Sequence, residues 1–506
     1  MKNTCLLFFA FLILLLNPLL AQNDSLYQKD FADFANHKTT EFSLFEDSLN
    51  HNFLREIRKQ WTQFEVFQGK QKPIQPKPNH PIIADTTHKP TQPHLMPKVE
   101  LKPETDPKNN PDKSIRKNPI YIPKVENPSL PENKQPIVPV EIQKECYMID
   151  FFGETIPLHY VKGDFQYNLN SLTNEEVANC WEKISQSYYT ELIDSIINFQ
   201  ENHNLNDWGV FTVINEFSEK LNSTNSFHKS SILTVFILNQ LGYDAKISFN
   251  QDRLFCMVHV DQQIYDVPFI ELEDKIYYFL EYSNADEPFK SIKTYNSNFS
   301  NNPKSFNLFL LRPLVLNSSQ IVKTVANDMG QNVIINLNKN VISFYKNYPQ
   351  VDLIVYANAS VSKEFQESIV SYFQPILKNK TQVESVSYIL NFCQFQFDYA
   401  NDRDQFGYEK PFFCEENFFY PKNDCEDRSI FFSFIVREIL HQDIVLLHYP
   451  GHIATAVQID DFVNGDYFLL NDKKYYICDP TYIGASIGMT MPQFQNVTPE
   501  IITLTK

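Results

Sequence analysis

The sequence predicts an α+β protein whose core is one helix packed on an antiparallel sheet. Three observations carry this reading. Helical periodicity and strand-like alternation occupy separate blocks. The closing block is a helix pattern followed by four strand patterns. A weaker image of that block stands in the first half of the chain, which predicts a duplicated core. An N-terminal helix and a proline-rich linker complete the layout.

The first residues, MKNTCLLFFAFLILLLNPLLAQND, combine a short positive start at Lys2 with an apolar run from Leu6 to Leu16. A small-residue zone follows at Leu20-Ala21-Gln22, so residues 1–22 read as a secretory signal peptide and the protein as exported, periplasmic or extracellular. The alternative, an uncleaved anchor, needs about 20 apolar residues, and the run breaks at Asn17-Pro18. Cys5 precedes the run, so no lipoprotein signal is read. Residues 23–70 predict a helical segment, because Phe45, Leu49, Phe53, Ile57 and Trp61 recur four apart. It could dock on a later domain or on a partner. Residues 71–140 hold about half of the chain's 30 prolines, interleaved with lysines. Such a segment cannot bury enough apolar surface to fold and predicts an extended tether of up to about 200 Å. A spacer through the cell envelope is one reading of it, a ligand for a proline-recognition module another.

At 506 residues the chain is too long for one ordinary domain, and its 43% hydrophobic content supplies real cores. A formal net charge of −17 speaks against nucleic acid or an anionic membrane surface as partner. Without Cys5, seven of the eight cysteines remain, thinly spread and odd in number, so at least one thiol is left over. No CxxC or His-x-x-His spacing suggests a metal, and no cofactor is expected.

Residues 141–300 predict an α/β domain. CYMIDFFGETIPLHY reads as a hairpin about Gly153-Glu154. NEEVANCWEKISQSYYTELIDSIINF and DWGVFTVINEFSEKL read as helices, and RLFCMVHV and QQIYDVPFI as strands. Residues 301–380 read as a β-rich connecting region that includes VIINLN and VDLIVYA. Residues 381–506 open with KEFQESIVSYFQPIL just upstream and VESVSYILNFCQFQF within, both helical. Then come the helix of NDCEDRSIFFSFIVREIL and the strands DIVLLHY, IATAVQI, DYFLL and KKYYICD. In the weak repeat, SILTVFILNQLGYDAKI matches SIFFSFIVREILHQDIV, and QQIYDVPF matches KKYYICDP. This register sets Ser226 opposite Cys425, Asp266 opposite Asp479, and Arg253 to Phe255 opposite His452. The upstream copy has then lost its chemistry.

Three residues in the last quarter suit thiol chemistry. Cys425 opens a helix, His452 follows the turn in YPGHIATAV, and Asp479 ends the strand in YYICDPTY. A helix N-terminus and an adjacent imidazole both favour a thiolate, and the carboxylate orients the ring. The backbone N–H of Cys425 can serve as an oxyanion donor. Alternation gives His452, Ala454 and Ala456 one strand face, and Tyr475, Ile477 and Asp479 another. Cys478 then points into the core. His448 and His441 are competing bases, one on another strand, the other at the far helix end. Read singly, each of the three is ordinary: a structural cysteine, a surface histidine after Pro-Gly, an Asp that ends a strand. Asp424, Glu426 and Asp427 raise the thiol pKa unless they cap the helix or pair with Arg428, and Asp424 reads as the N-cap.

DCEDRSIFFSFIVREIL, PGHIATAV and CDPTY together resemble the transglutaminase-like superfamily, and the likeness extends from Val383 to Lys506. The resemblance implies a papain/transglutaminase-like core with the triad Cys425, His452 and Asp479. Two features depart from that pattern: Asn423-Asp424 replaces its small lead-in, and no aromatic follows His452. The resemblance implies a cysteine enzyme acting on amide bonds, a peptidase or amidase or an acyl transferase, with a protein or peptide substrate. A non-catalytic envelope-binding or scaffold protein is the rival, with the proline-rich linker or the N-terminal helix meeting a cell-envelope partner. A redox role would need Cys414 or Cys478 nearby as a resolving thiol. The enzyme reading expects Cys425 Sγ within about 4 Å of a His452 ring nitrogen, Asp479 on the other, and an open groove above them.

Overall fold

The structure is a computed structural model that describes residues 48–71, 82–84, 144–161, 163–221, 227–250, 252–281, 290–326 and 332–504. Residues 1–22, on which the signal-peptide expectation falls, the stretch to residue 47, most of the proline-rich segment and Ser226 lie outside the described residues. The fold is α+β, with two large sheets that are antiparallel throughout. Among the described residues no helix is long and apolar enough to cross a membrane.

The closing sheet runs, edge to edge, Tyr467–Leu470, Lys473–Cys478, His452–Gln458, Ile444–Tyr449 and Glu500–Thr503. The upstream sheet runs Phe269–Leu272, Lys275–Tyr278, Leu254–His259, Ala245–Phe249 and Ser291–Thr294, with Thr62–Glu65 added at the edge. Strand for strand the two orders agree, and each sheet follows a buried helix, Phe227–Gln240 or Cys425–Leu440. The turns leaving those helices match as well, with Gly242 and His441 both left-handed at φ 86 and 53.

This register corrects one correspondence. Val258 pairs with Tyr278 in the first sheet, and Val457 with Tyr476 in the second. KIYYFLE, residues 275–281, therefore takes the place of KKYYICD, and Glu281 rather than Asp266 stands where Asp479 stands. Asp266 precedes the strand Phe269–Leu272, in a left-handed turn with φ 58. The misleading match rested on a Tyr and an Asp present in both segments at different spacings, whereas inward-facing aromatics fix strand register. The hairpin registers Phe249 with Leu254 and His448 with Ile453 put Arg253 opposite His452, as expected.

Other expectations also shift. The N-terminal helix covers 48–57 and then gives way to the strand Thr62–Glu65. Trp61 continues the apolar spacing, but its indole Nε1 donates to Ile57 O at 2.7 Å and closes the last turn. The segment docks within the chain, with Phe53 and Trp61 both against Tyr295. VDLIVYA is a short buried helix, Leu353–Ala357, since a brief apolar run has no period that separates helix from strand. The region 301–380 is therefore not β-rich. It holds one hairpin, Gln320–Ala326 with Asn332–Asn338, and the helices Lys339–Lys346, Leu353–Ala357 and Lys363–Leu377. The early hairpin forms as expected, Lys144–Phe151 with Glu154–Val161. Its turn residues Phe152 and Gly153 are both left-handed (φ 45 and 85), the conformation that favours glycine. Finally, residues 82–84 within the proline-rich segment are not part of a bare tether. They pair with Ile483.

Candidate active site

Cys425 is the first residue of its helix and Asp424 its N-cap. The Asp427 carboxylate accepts from Asp424 N at 3.1 Å, half of a capping box, and from Phe412 N at 2.9 Å. The charged ring is no solvated collar, because Asp424, Glu426, Asp427 and Arg428 are all buried. The helix is buried on every side as far as Val436. A buried guanidinium demands acceptors. Arg428 finds Asn423 Oδ1 at 2.9 Å, Gln394 O at 3.2 Å and Phe397 O at 2.6 Å, not the neighbouring carboxylates. Burial pushes its pKa down.

His452 opens the strand that runs beside this helix in the same direction, and Ser429 Oγ donates to Ile453 O at 3.1 Å. The two elements therefore start side by side. His452 Nε2 meets Asp479 Oδ2 at 2.8 Å, with both side chains almost fully buried. Asp479 Oδ1 accepts from Thr481 N at 2.9 Å and Tyr482 N at 3.1 Å, so the Asp-Pro-Thr turn clamps the carboxylate. The pairing of Asp479 with His452 is thus as the sequence expects.

The thiol is not. Cys425 is 0% exposed, and its Sγ donates to Glu426 Oε2 at 3.1 Å. His452 Nδ1 is buried and makes no hydrogen bond. Among the described residues no hydrogen bond joins the thiol to the imidazole. His452 faces the side of the sheet shared by Tyr449, Ala454 and Ile477, while Ile453, Val457 and Cys478 face the core that the helix joins.

Two further polar atoms near this ring are buried and make no hydrogen bond, Tyr449 Oη and Thr481 Oγ1. Tyr449 lies directly across the hairpin from His452, and burial, with the Asp479 charge adding to it, pushes its phenol up. The Phe494 ring lies parallel to the imidazole, centroids 5.4 Å apart and planes 3° apart, and stacks on Tyr449 as well. Nothing local in the sequence marks Tyr449 or Phe494 for this role.

Sequence reasoning also missed the acidic surroundings. Asp402 opens the short upstream helix Asp402–Phe406 and Glu409 lies in the loop after it, and three trios bring ligand atoms within 4.8 Å: Asp424-Cys425-Glu426, Asp402-Asp424-Asp427 and Asp402-Glu409-Glu426. The oxygen-rich trios are the groups here that could hold a hard cation.

None of the seven cysteines forms a disulfide. Burial raises the thiols of Cys393, Cys414 and Cys478, with Glu415 adding to the effect at Cys414. They behave as core residues. Of the competing histidines, His441 is the C-cap at the far end of the helix, and His448 faces Glu500 at 3.4 Å. In the upstream sheet, Glu281 accepts from Ser231 Oγ at 2.8 Å and Cys256 N at 3.4 Å, and burial pushes its carboxyl up to about 7.

The chain matches no known protein family, no curated protein and no solved structure.

Proposed function

We propose that the chain is an exported cysteine enzyme of transglutaminase-like type, acting on amide bonds through Cys425, His452 and Asp479. The observation that carries the reading is the His452–Asp479 pair with its outer ring nitrogen uncommitted. A buried polar atom without a partner costs about 1–3 kcal/mol, and a purely structural histidine would be satisfied. Here Nδ1, Tyr449 Oη and Thr481 Oγ1 remain unsatisfied around one ring. The common strand order and the match of KIYYFLE to KKYYICD support a duplicated core, with Arg253 and Glu281 in the copy that lost the chemistry.

For reaction, Cys425 Sγ leaves Glu426, gives its proton to His452 Nδ1 and attacks the amide carbon. The C–N bond breaks as His452 returns that proton to the leaving amine. Water or a second amine then resolves the thioester. The described form, with its thiol on Glu426, is a resting one.

Burial of Cys425 and its bond to Glu426 favour a second reading, a binding module that keeps the core without catalysis. Alkylation by iodoacetamide at pH 6 separates the two, measured at Cys425 in wild type and His452→Ala. The enzyme reading expects at least tenfold slower labelling in the variant. Equal, slow labelling in both supports the binding module.

A further inference from the structure

Residues 82–84 are a short stretch of Ile-Ile-Ala inside the proline- and lysine-rich segment, and they seat on the turn that follows Asp479. Ala84 N donates to Ile483 O at 2.8 Å, and Ile483 N donates to Ile82 O at 2.9 Å. Two backbone bonds of this kind define a parallel bridge of Ile83 with Ile483. The side chains alternate as an added strand requires. Ile82 and Ala84 join the apolar cluster of Tyr482, Ala485 and Met491, while Ile83 points out and is 77% exposed. Phe494 packs on the same cluster and stacks on His452. The seat is therefore one side chain away from the imidazole.

We infer that this edge is a peptide-binding subsite, filled in cis by the chain's own Ile82–Ala84. It reads an extended peptide through backbone bonds to Ile483, with an aliphatic side chain at one position, any residue next, and a small residue third. Strand addition of this kind takes its affinity from main-chain bonds and its selectivity from alternate side chains. The surrounding composition gives the segment no core of its own, so the docked triplet can exchange with a peptide of the same pattern. That the exchanging peptide is a substrate rests on the acyl-transfer reading above. That the edge binds it does not.

The test uses the full chain with Cys425→Ala, so that no chemistry intervenes, and a fluorescein-labelled peptide of this chain's residues 80–86, HPIIADT. A tethered occupant competes at an effective concentration on the order of millimolar. The double variant Ile82→Asp/Ala84→Asp should therefore bind the peptide at least tenfold more tightly than the parent protein, whose own triplet stays docked. The control peptide HPDIDDT should bind neither protein. Hydrogen exchange supplies the second readout: the Ala84 and Ile483 amides should be protected with the tether intact, and Ile483 should lose protection in the double variant until HPIIADT is added. Equal affinity of HPIIADT for both proteins, or unprotected Ala84 and Ile483 amides with the tether intact, overturns the inference. Failure of His452 to affect Cys425 alkylation would remove the enzyme and leave the binding result standing.

Discussion

Cys425 Sγ donates to the carboxylate of its own neighbour, Glu426, at 3.1 Å, while the imidazole of His452 has no hydrogen bond on Nδ1. A carboxylate beside a thiol disfavours the thiolate. Glu426→Gln should then raise the rate of iodoacetamide labelling at pH 6 by about tenfold, one pKa unit's worth. An unchanged rate would mean that Glu426 does not hold the thiol back.

Asp479 serves both the ring and the turn, since Oδ2 meets His452 and Oδ1 takes two backbone amides. Asp479→Asn keeps the shape but replaces an acceptor by a donor. The expected loss is about 1–3 kcal/mol of stability, together with slower Cys425 labelling. A urea titration and the labelling assay read the two effects separately, and a variant as stable as wild type would contradict the clamp.

Arg428 is fully buried on the carbonyls of Gln394 and Phe397 and on Asn423. Arg428→Ala leaves those neutral acceptors without a donor and should cost about 1–3 kcal/mol for each one left unsatisfied. Lysine reaches as a point charge without the planar fork, so Arg428→Lys should recover only part of the loss in the same urea titration.

Glu415 is fully buried, accepting from Ser362 N at 2.6 Å, Ser362 Oγ at 2.8 Å and Tyr345 Oη at 3.1 Å. Burial nevertheless pushes its carboxyl from 4.5 up to about 7. Between these values the folded chain holds a proton that the unfolded chain has lost. Its contribution to stability is thus full below the lower value and falls away as pH rises through the upper one, by about 3 kcal/mol in all. Glu415→Gln should flatten the decline of the urea midpoint between pH 5 and pH 8. An equal decline in both proteins would place the titration elsewhere.

Much of the closing unit was legible because each signal was local. An Asp-Cys-Glu-Asp helix start, a Pro-Gly turn before His452 and an Asp-Pro-Thr ending are set by neighbours in the chain, and all three occur where expected. What depends on distant partners was not legible. The carboxylates of 424–427 gather with Asp402 and Glu409, which the fold brings from upstream. VDLIVYA is too short for its period to show. Ile82–Ala84 carries no pattern beyond its composition, and only the waiting edge at Ile483 gives it structure.

The two sheets follow one strand order, which gives the chain an internal comparison. Arg253 and Glu281 occupy the frame that His452 and Asp479 occupy further along. Arg253 and Glu281 are half-buried where His452 and Asp479 are buried, and a reagent that senses imidazole chemistry marks the second frame alone, in the same tube and on the same molecule.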